Sequence, residues 1–263
     1  MGSAYSGQGI MHLDDILILA GGRTDDEWRD ATGIEWRADV EIDGKSMLEH
    51  VLQATRPLHE PLLIGGPNGI SHRQLPSGEN FIDSLKKGLE NAEGEKVLLV
   101  TVDIPFITTE GLQKFLDAAP TDAGIAYPII RSEACQEAFP ELPRTTLKLA
   151  EGEFTGGNIA LITRSKMLEA IPVIERAYAA RKSPVKLASI VGWDTLSAVL
   201  VGKFFPQKLK IADLETKVSK FLGISVRGVI SNDAAIGTDI DRYEHYRIIT
   251  SLKESQNRPK TKV

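Results

Sequence analysis

ILILAGG, residues 16–22, is an uninterrupted apolar run that ends in a pair of glycines. A strand buried on both faces of a parallel sheet has this pattern, whereas a strand with one wet face alternates apolar and polar residues. We therefore expect a central strand from Ile16 to Ala20 that stops at Gly21 and Gly22. The glycine amides are able to face an anion there. An ordinary tight turn is an equally good interpretation of the two glycines alone.

Short apolar runs and amphipathic stretches alternate along the rest of the chain. Further strands are predicted at 61–64, 97–102, 123–127, 159–163 and 225–230. Helices are predicted at 46–54, 80–91, 109–118, 166–180, 187–201, 211–221 and 243–252. In the helix at 80–91 the residues expected to point inward are Phe81, Ile82, Leu85 and Leu89. This alternation predicts βαβ units and a three-layer α/β/α fold with a mostly parallel, Rossmann-like sheet.

One domain, residues 13–250, is expected to hold all of these elements. A helical insertion is predicted at 165–222, and the stretch 132–157 is predicted to be loop-rich, with two prolines and a Thr-Gly-Gly turn signal. Residues 1–12 are rich in glycine and serine and are expected to be disordered. Residues 251–263 are expected to be a solvated basic tail.

Charge and composition exclude several classes of protein. Lys and Arg total 31 and Asp and Glu total 36, so the net charge of −5 argues against a nucleic-acid partner. The single cysteine, Cys135, excludes an internal disulfide framework and a thiolate metal cluster. The longest apolar runs fall far below the ~20 residues of a membrane helix. We expect a soluble cytoplasmic protein without a membrane partner, and its oligomeric state stays open.

Familiar phosphate and catalytic motifs do not fit this sequence. The segment after Ala20 lacks the G-x-G-x-x-G spacing of a dinucleotide site. Gly44-Lys45-Ser46 resembles the end of a P-loop, but Asp39 stands where the first glycine is needed. The five histidines show no metal-ligand spacing, and no serine lies in a G-x-S-x-G context. These features exclude the commonest nucleotide, zinc and serine-nucleophile sites.

Two acidic segments are better candidates for a ligand site. Asp103 follows the strand at 97–102, where open α/β sheets bind ligands, and a carboxylate there suits Mg²⁺. A turn before Pro105 is the alternative role of this aspartate. Asp239 and Asp241 point to the same side if their segment is extended. One of them is then a second metal-ligand candidate, and the other is a candidate helix cap.

The ordered motifs of this chain resemble the MobA-like NTP transferase family. The motifs are LAGG at 19–22, RADVEIDGKSML at 37–48, VDIP at 102–105 and DID at 239–241. Their order covers most of residues 13–250. The resemblance implies a sheet of the nucleotide-diphospho-sugar transferase type, with an NTP and a small molecule as partners.

The resemblance also assigns roles by position. The base and ribose would lie against Leu19, Ala20, Gly21 and Gly22. Asp103 would bind the catalytic Mg²⁺, with Mn²⁺ as an alternative metal. Asp241 would complete the metal site, with Asp239 as the other candidate.

The same resemblance concerns the cationic residues, whereas the acceptor-side residues are a hypothesis about the glycine turn. Arg37 stands where the family has a phosphate-binding lysine, and Arg37 or Arg23 would neutralise the β- and γ-phosphates. The family's Arg and Met-Gly pair after the glycines is replaced by a longer polar loop, residues 24–36. On the glycine turn, Thr155, Gly157 and Asn158 are candidates for binding the acceptor. A simple hairpin turn is a nearly equal interpretation of that segment.

The leading functional hypothesis is a Mg²⁺-dependent nucleotidyltransferase. It would move NMP from an NTP to a small phosphorylated or hydroxyl acceptor and release pyrophosphate. One alternative is a glycosyltransferase of the same fold that uses a nucleotide sugar. Another is a non-catalytic, nucleotide-binding regulatory protein that has kept the sheet.

Overall fold

The computed structural model describes residues 12–71, 73–180 and 209–257. In chain order its strands are β1 (Asp15–Leu19), β2 (Glu41–Ile42), β3 (Lys45–Ser46), β4 (Leu62–Ile64), β5 (Gln74–Leu75), β6 (Lys96–Thr101), β7 (Ile125–Arg131), β8 (Leu147–Leu149), β9 (Gly152–Gly156), β10 (Ile159–Thr163) and β11 (Val226–Ser231). Its helices are α1 (Asp26–Thr32), α2 (Met47–Thr55), α3 (Phe81–Asn91), α4 (Thr109–Ala118), α5 (Ser132–Ala138), α6 (Arg164–Ala180), α7 (Ile211–Leu222) and α8 (Tyr243–Asn257). No helix of these described ranges is both long and apolar enough to span a bilayer.

Within the described residues, nine strands form one mixed sheet, in the order β5-β4-β1-β6-β10-β7-β9-β8, and β11 pairs with β7. The pairs β4–β5, β1–β4, β1–β6 and β7–β11 are parallel, whereas β10 runs antiparallel to both β6 and β7. Strands β2 and β3 form a separate hairpin. The parallel strands carry their loops at one carboxyl edge of the sheet, where ligands bind in such folds.

Two apolar layers lie on opposite faces of the sheet. Ile16 and Ile18 of β1 pack into a core with α2 and α4, while Leu17 and Leu19 pack into the core with α3 and α6. Successive strand residues point to opposite faces, so a strand flanked by helices on both sides must be apolar throughout. The predicted three-layer α/β/α fold is confirmed.

Helix-capping residues fix where the main helices begin. Ser46 and Glu49 form a reciprocal capping box at α2, and the Asn80 side chain accepts from two amides of the first turn of α3. The predicted helices at 46–54, 80–91 and 109–118 are thus found within one residue. Phe81 is 46% exposed, so the prediction that it points inward is wrong. It is the first helical residue, and the apolar contact of α3 starts at Ile82.

Three other stretches differ from the sequence prediction. The supposedly loop-rich segment 132–157 contains α5 and the β8–β9 hairpin, whose pairing partner is β7. The loop at 24–36 contains α1, capped by the Asp25 side chain and ended by left-handed Gly33. Helix α8 continues to Asn257, so the predicted tail begins within a helix. The helix predicted at 187–201, like the N-terminal residues 1–11, lies outside the described residues.

Candidate functional site

Asp103 and Arg37 meet at the carboxyl edge of the sheet. The amide of Val102 donates to the Leu19 carbonyl, which places Asp103 beside the end of β1. Arg37 is fixed by its own amide, which donates to the Gly22 carbonyl at 3.0 Å. Its Nη1 donates to Asp103 Oδ2 at 2.8 Å, and the two side chains are only 26% and 12% exposed. The structure therefore brings together two residues that are 66 positions apart in sequence.

This ion pair leaves one polar atom open on each partner. Asp103 Oδ1 and Arg37 Nε are buried, and neither has a hydrogen-bond partner among the described residues. A buried polar atom without a partner costs about 1–3 kcal/mol. The oxygen offers a ligand to a cation, and the N–H offers a donor to an anion. The pair is thus chemically suited to hold a metal ion and a phosphate side by side.

A pocket of about 580 Å³, here called the glycine pocket, lies next to the turn after β1. It is lined by Trp36, Gly65, Gly66, Pro67, Asn68, Gly69, Ser71, Gln74, Leu75, Pro76 and Ser77. Gly21 lies against Gly65: a Cβ on Gly65 would come within 2.6 Å of Gly21 Cα. Gly65 also has a φ of 80°, which other residues rarely adopt. The close approach of the two turns therefore requires glycine and shapes one wall of the pocket.

Asp239 is held near Asp103 by the backbone. The amide of buried Ile240 donates to the Asp103 carbonyl at 2.8 Å. Burial raises the pKa of the Asp239 carboxyl above its usual value, and the charges of Asp103 and Asp241 raise it further. Asp241 lies on the other side of Ile240, and its Oδ1 is 3.1 Å from Nδ1 of His245, although the contact lacks hydrogen-bond geometry. The three predicted acidic residues thus share one region of the molecule.

The described side chains of this region supply only part of the ligand set of a divalent metal. Among the described residues, no group of three or more His, Cys, Asp or Glu side chains is arranged to hold a metal ion. Mg²⁺, however, usually takes one or two carboxylates and completes its shell with water and substrate phosphates. The open Oδ1 of Asp103 and the charge of neighbouring Asp239 meet that requirement.

A second pocket, of about 560 Å³, lies beside Asp239 and is here called the arginine pocket. It is lined by Leu142, Pro143, Arg144, Thr145, Thr155, Gly156, Gly237, Thr238, Asp239, Asp241, Arg242 and His245. Of the predicted acceptor residues, only Thr155 lines it. Gly157 is packed between Pro128 and Ile236, and Asn158 joins the Ile236 carbonyl and β6 through its backbone. These two residues shape the strand connection behind the pocket.

Arg23 does not take part in the Asp103–Arg37 pair. Its guanidinium stacks on the Trp36 ring at 3.5 Å and donates to Glu35 at 2.6 Å. Sequence reasoning missed Arg144, Arg242 and His245, which line the arginine pocket. One signal was available, because His245 follows Asp241 by four positions and so lies one helical turn away. Arg144 lies in an irregular segment and gave no signal.

The raised pKa of Asp239 gives a prediction for stability. Between the usual value of 3.8 and the raised native value, the folded chain binds more protons than the unfolded chain. The free energy of unfolding therefore falls as pH rises through that interval and stays lower above it. We expect Asp239→Asn to raise the melting temperature at pH 7 without divalent metal by roughly 1–4 °C. Thermal melts of this variant and of exposed-site control Asp122→Asn test this, and a lower melting temperature for Asp239→Asn would contradict it.

Comparison with known proteins gives one family. The MobA-like NTP transferase domain matches residues 16–187. A solved structure described as a hypothetical transferase from Thermus thermophilus is 34% identical, has a TM-score of 0.80, and is matched over 89% of this chain and 99% of its own. None of the curated proteins matches the chain.

Two more distant structures share the fold. One is 2-C-methyl-D-erythritol 4-phosphate cytidylyltransferase, also from Thermus thermophilus, 18% identical with a TM-score of 0.50, over 92% of this chain and 100% of that one. The other is CMP:2-keto-3-deoxy-manno-octonic acid synthetase in complex with CTP, 13% identical with a TM-score of 0.54, over 93% and 100%. The family match spans well over half of the sequence and includes the glycine turn, Arg37 and Asp103. This chain belongs to the MobA-like NTP transferase family of nucleotidyltransferases.

Proposed function

We propose that this protein transfers a nucleoside monophosphate from an NTP to a small phosphorylated or hydroxyl acceptor and releases pyrophosphate. The observation that carries the proposal is the Asp103–Arg37 pair, in which a buried carboxylate oxygen and a buried N–H both lack a partner among the described residues. Such a pair suits a metal–triphosphate complex, in which cation and anion arrive together. Family membership supports nucleotidyl transfer as the class of reaction.

We propose Mg²⁺ as the cofactor, with Asp103 and Asp239 as its protein ligands. Asp239 is preferred over Asp241 because its pKa responds to the Asp103 charge, whereas Asp241 already faces His245. When bound, the metal would neutralise phosphate charge and align the reacting groups. Mn²⁺ is an alternative for the same oxygen ligands.

The remaining tasks fall to the chain itself. The glycine pocket receives the base and ribose, with the Gly21–Gly22 turn at its edge. Arg37 donates to the phosphates through Nε, and Arg23 would reach them only by leaving Glu35 and Trp36. An acceptor oxygen in the arginine pocket then attacks the α-phosphorus as the bond to the α–β bridging oxygen breaks and pyrophosphate leaves. A hydroxyl acceptor releases its proton to solvent in this step. This transfer needs positioning and charge neutralisation, without a covalent enzyme intermediate.

Thermal stabilisation by ATP, GTP, CTP and UTP, each with and without Mg²⁺, tests the proposal. A ligand at 100 times its dissociation constant stabilises the folded state by about 2.7 kcal/mol. We expect a clear rise in melting temperature for at least one NTP with Mg²⁺, and a smaller rise without it. NTP stabilisation that does not depend on Mg²⁺ would favour a regulatory nucleotide-binding protein. Stabilisation by nucleotide sugars alone would favour a glycosyltransferase.

A further inference from the structure

Two arginines that the proposed chemistry at Asp103 does not use line the described part of the arginine pocket. Arg144 lies between α5 and β8, and Arg242 immediately precedes α8. Among the described residues that line the pocket, the one ion pair joins His245 to Asp241, so neither arginine is neutralised by a carboxylate there. The pocket thus holds cationic groups without an anionic partner from the described chain.

One terminal nitrogen of the Arg144 guanidinium is hydrogen-bonded, and the other has no hydrogen-bond partner among the described residues. Its Nη1 donates to the Gly237 carbonyl and to Thr238 Oγ1, each at 3.3 Å. Its Nη2 is buried and has no hydrogen-bond partner among the described residues. A guanidinium retains its charge at any physiological pH, and a buried N–H without a partner is costly. An incoming oxyanion would remove that cost.

We propose that the arginine pocket binds an oxyanion of the acceptor, a phosphate or a carboxylate, through Arg144 and Arg242. This inference rests on the proposed function and names the chemical class of its acceptor. The planar forks of two arginines match the oxygens of phosphate or carboxylate, often in pairs of hydrogen bonds. The volume of about 560 Å³ suits a small molecule.

The acidic residues of the same pocket determine how the acceptor is oriented in it. Asp241 faces His245, and Asp239 is held beside Asp103, because the amide of the adjoining Ile240 donates to the Asp103 carbonyl at 2.8 Å. An anion is repelled by these carboxylates and attracted by the guanidiniums. The anionic group of the acceptor therefore binds at Arg144 and Arg242, and its nucleophilic oxygen lies toward Asp239 and the nucleotide.

Thermal titrations of the full chain with sodium phosphate and with sodium acetate, at constant ionic strength, test this inference. They contain no nucleotide and no divalent metal, so they are independent of the NTP experiment and the two proposals can fail separately. We expect saturable stabilisation by at least one anion. The half-saturating concentration should rise at least fivefold in Arg144→Gln and in Arg242→Gln, because each substitution removes charge-assisted hydrogen bonds to the anion. Response to phosphate alone identifies a phosphoryl acceptor, and response to acetate alone identifies a carboxylate.

Arg247→Gln is the matched control, because Arg247 is an exposed arginine of α8 that does not line the pocket. Arg242 is also exposed, so its variant keeps the test valid if Arg144→Gln fails to fold. The inference is overturned if neither anion stabilises the wild-type chain. It is also overturned if Arg37→Gln abolishes the response while Arg144→Gln and Arg242→Gln leave it unchanged, since the anion would then bind on the nucleotide side.

Discussion

Asp103→Asn is expected to reduce kcat/KM for pyrophosphate release by roughly 1,000-fold, which corresponds to about 4 kcal/mol of lost transition-state stabilisation. The substitution keeps the shape of the side chain and the oxygen that accepts from Arg37 Nη1. It removes the negative charge and replaces the one oxygen open to a cation with an amide nitrogen, which cannot bind a metal. Steady-state assays with a saturating acceptor measure the effect.

Two further measurements separate a metal-binding role from loss of structure. The melting temperature of Asp103→Asn should stay within a few degrees of the wild-type value, and Asp117→Asn, an exposed aspartate of α4, is the control for removal of a charge. Mn²⁺ binding followed by electron paramagnetic resonance should weaken at least tenfold in Asp103→Asn only, about 1.4 kcal/mol. Undiminished turnover would remove Asp103 from the mechanism. Lost turnover with unchanged Mn²⁺ affinity would assign it to holding Arg37 instead.

The fold was predictable because its central strands leave an unmistakable pattern. A strand covered by helices on both faces has to be apolar at every position, and residues 16–20 and 97–102 meet that requirement over nearly their whole length. Ser46 and Asn80 have the side chains that cap helices, so two helix starts were visible as well. The apolar strand pattern and the capping side chains each lie within a short segment, so they could be recognised from the sequence alone.

Pairing between distant segments was not predictable in the same way. Strand β9 pairs with β7 and β8 pairs with β9, so this hairpin extends the sheet. No pattern within residues 147–156 identifies β7 as the partner. Helix α1 carries an Asp25 cap and a Gly33 terminator, but it is short and only Trp28 is fully buried. Its stability comes from tertiary contact, since the Trp28 ring lies against Tyr243 and Tyr246 of α8.

The same distinction between local signals and distant contacts applies to the residues of the candidate site. Asp103 was a candidate because it follows an apolar strand, whereas the role of Arg37 came only from the resemblance to a family. No local pattern relates the two residues, which are 66 positions apart. Arg144 could be found only in three dimensions, where folding carries it to the carbonyl of Gly237, 93 positions away. Arginines in irregular segments are common on protein surfaces, so sequence alone gives such a residue no special weight.

Arg73→Met is expected to lower the free energy of unfolding by about 3–5 kcal/mol, the usual loss when one partner of a buried ion pair is removed. Asp15, at the start of β1, is fully buried, and Arg73 donates to both of its oxygens at 3.0 and 2.8 Å. The amides of Ile16 and Glu93 donate to the same carboxylate, each at 2.8 Å. Without Arg73, this buried charge keeps its backbone donors and the nearby ring of His59, whose Nδ1 is 3.6 Å from Oδ1, but it loses its arginine counter-ion. Urea denaturation followed by circular dichroism measures the change.

The exposed pair Arg56–Glu60 supplies the matched control, because its nitrogen–oxygen distance is 3.4 Å and its side chains are 47% and 38% exposed. Arg56→Met should change stability by less than about 1 kcal/mol. Asp15 lies at the amino end of β1 and Asp103 at the carboxyl edge of the sheet, so Arg73→Met should retain near-normal kcat/KM at a temperature where it is folded. Equal, small losses in both variants would mean that the backbone donors and His59 satisfy Asp15 without Arg73. Loss of activity in folded Arg73→Met would mean instead that the two ends of β1 are coupled.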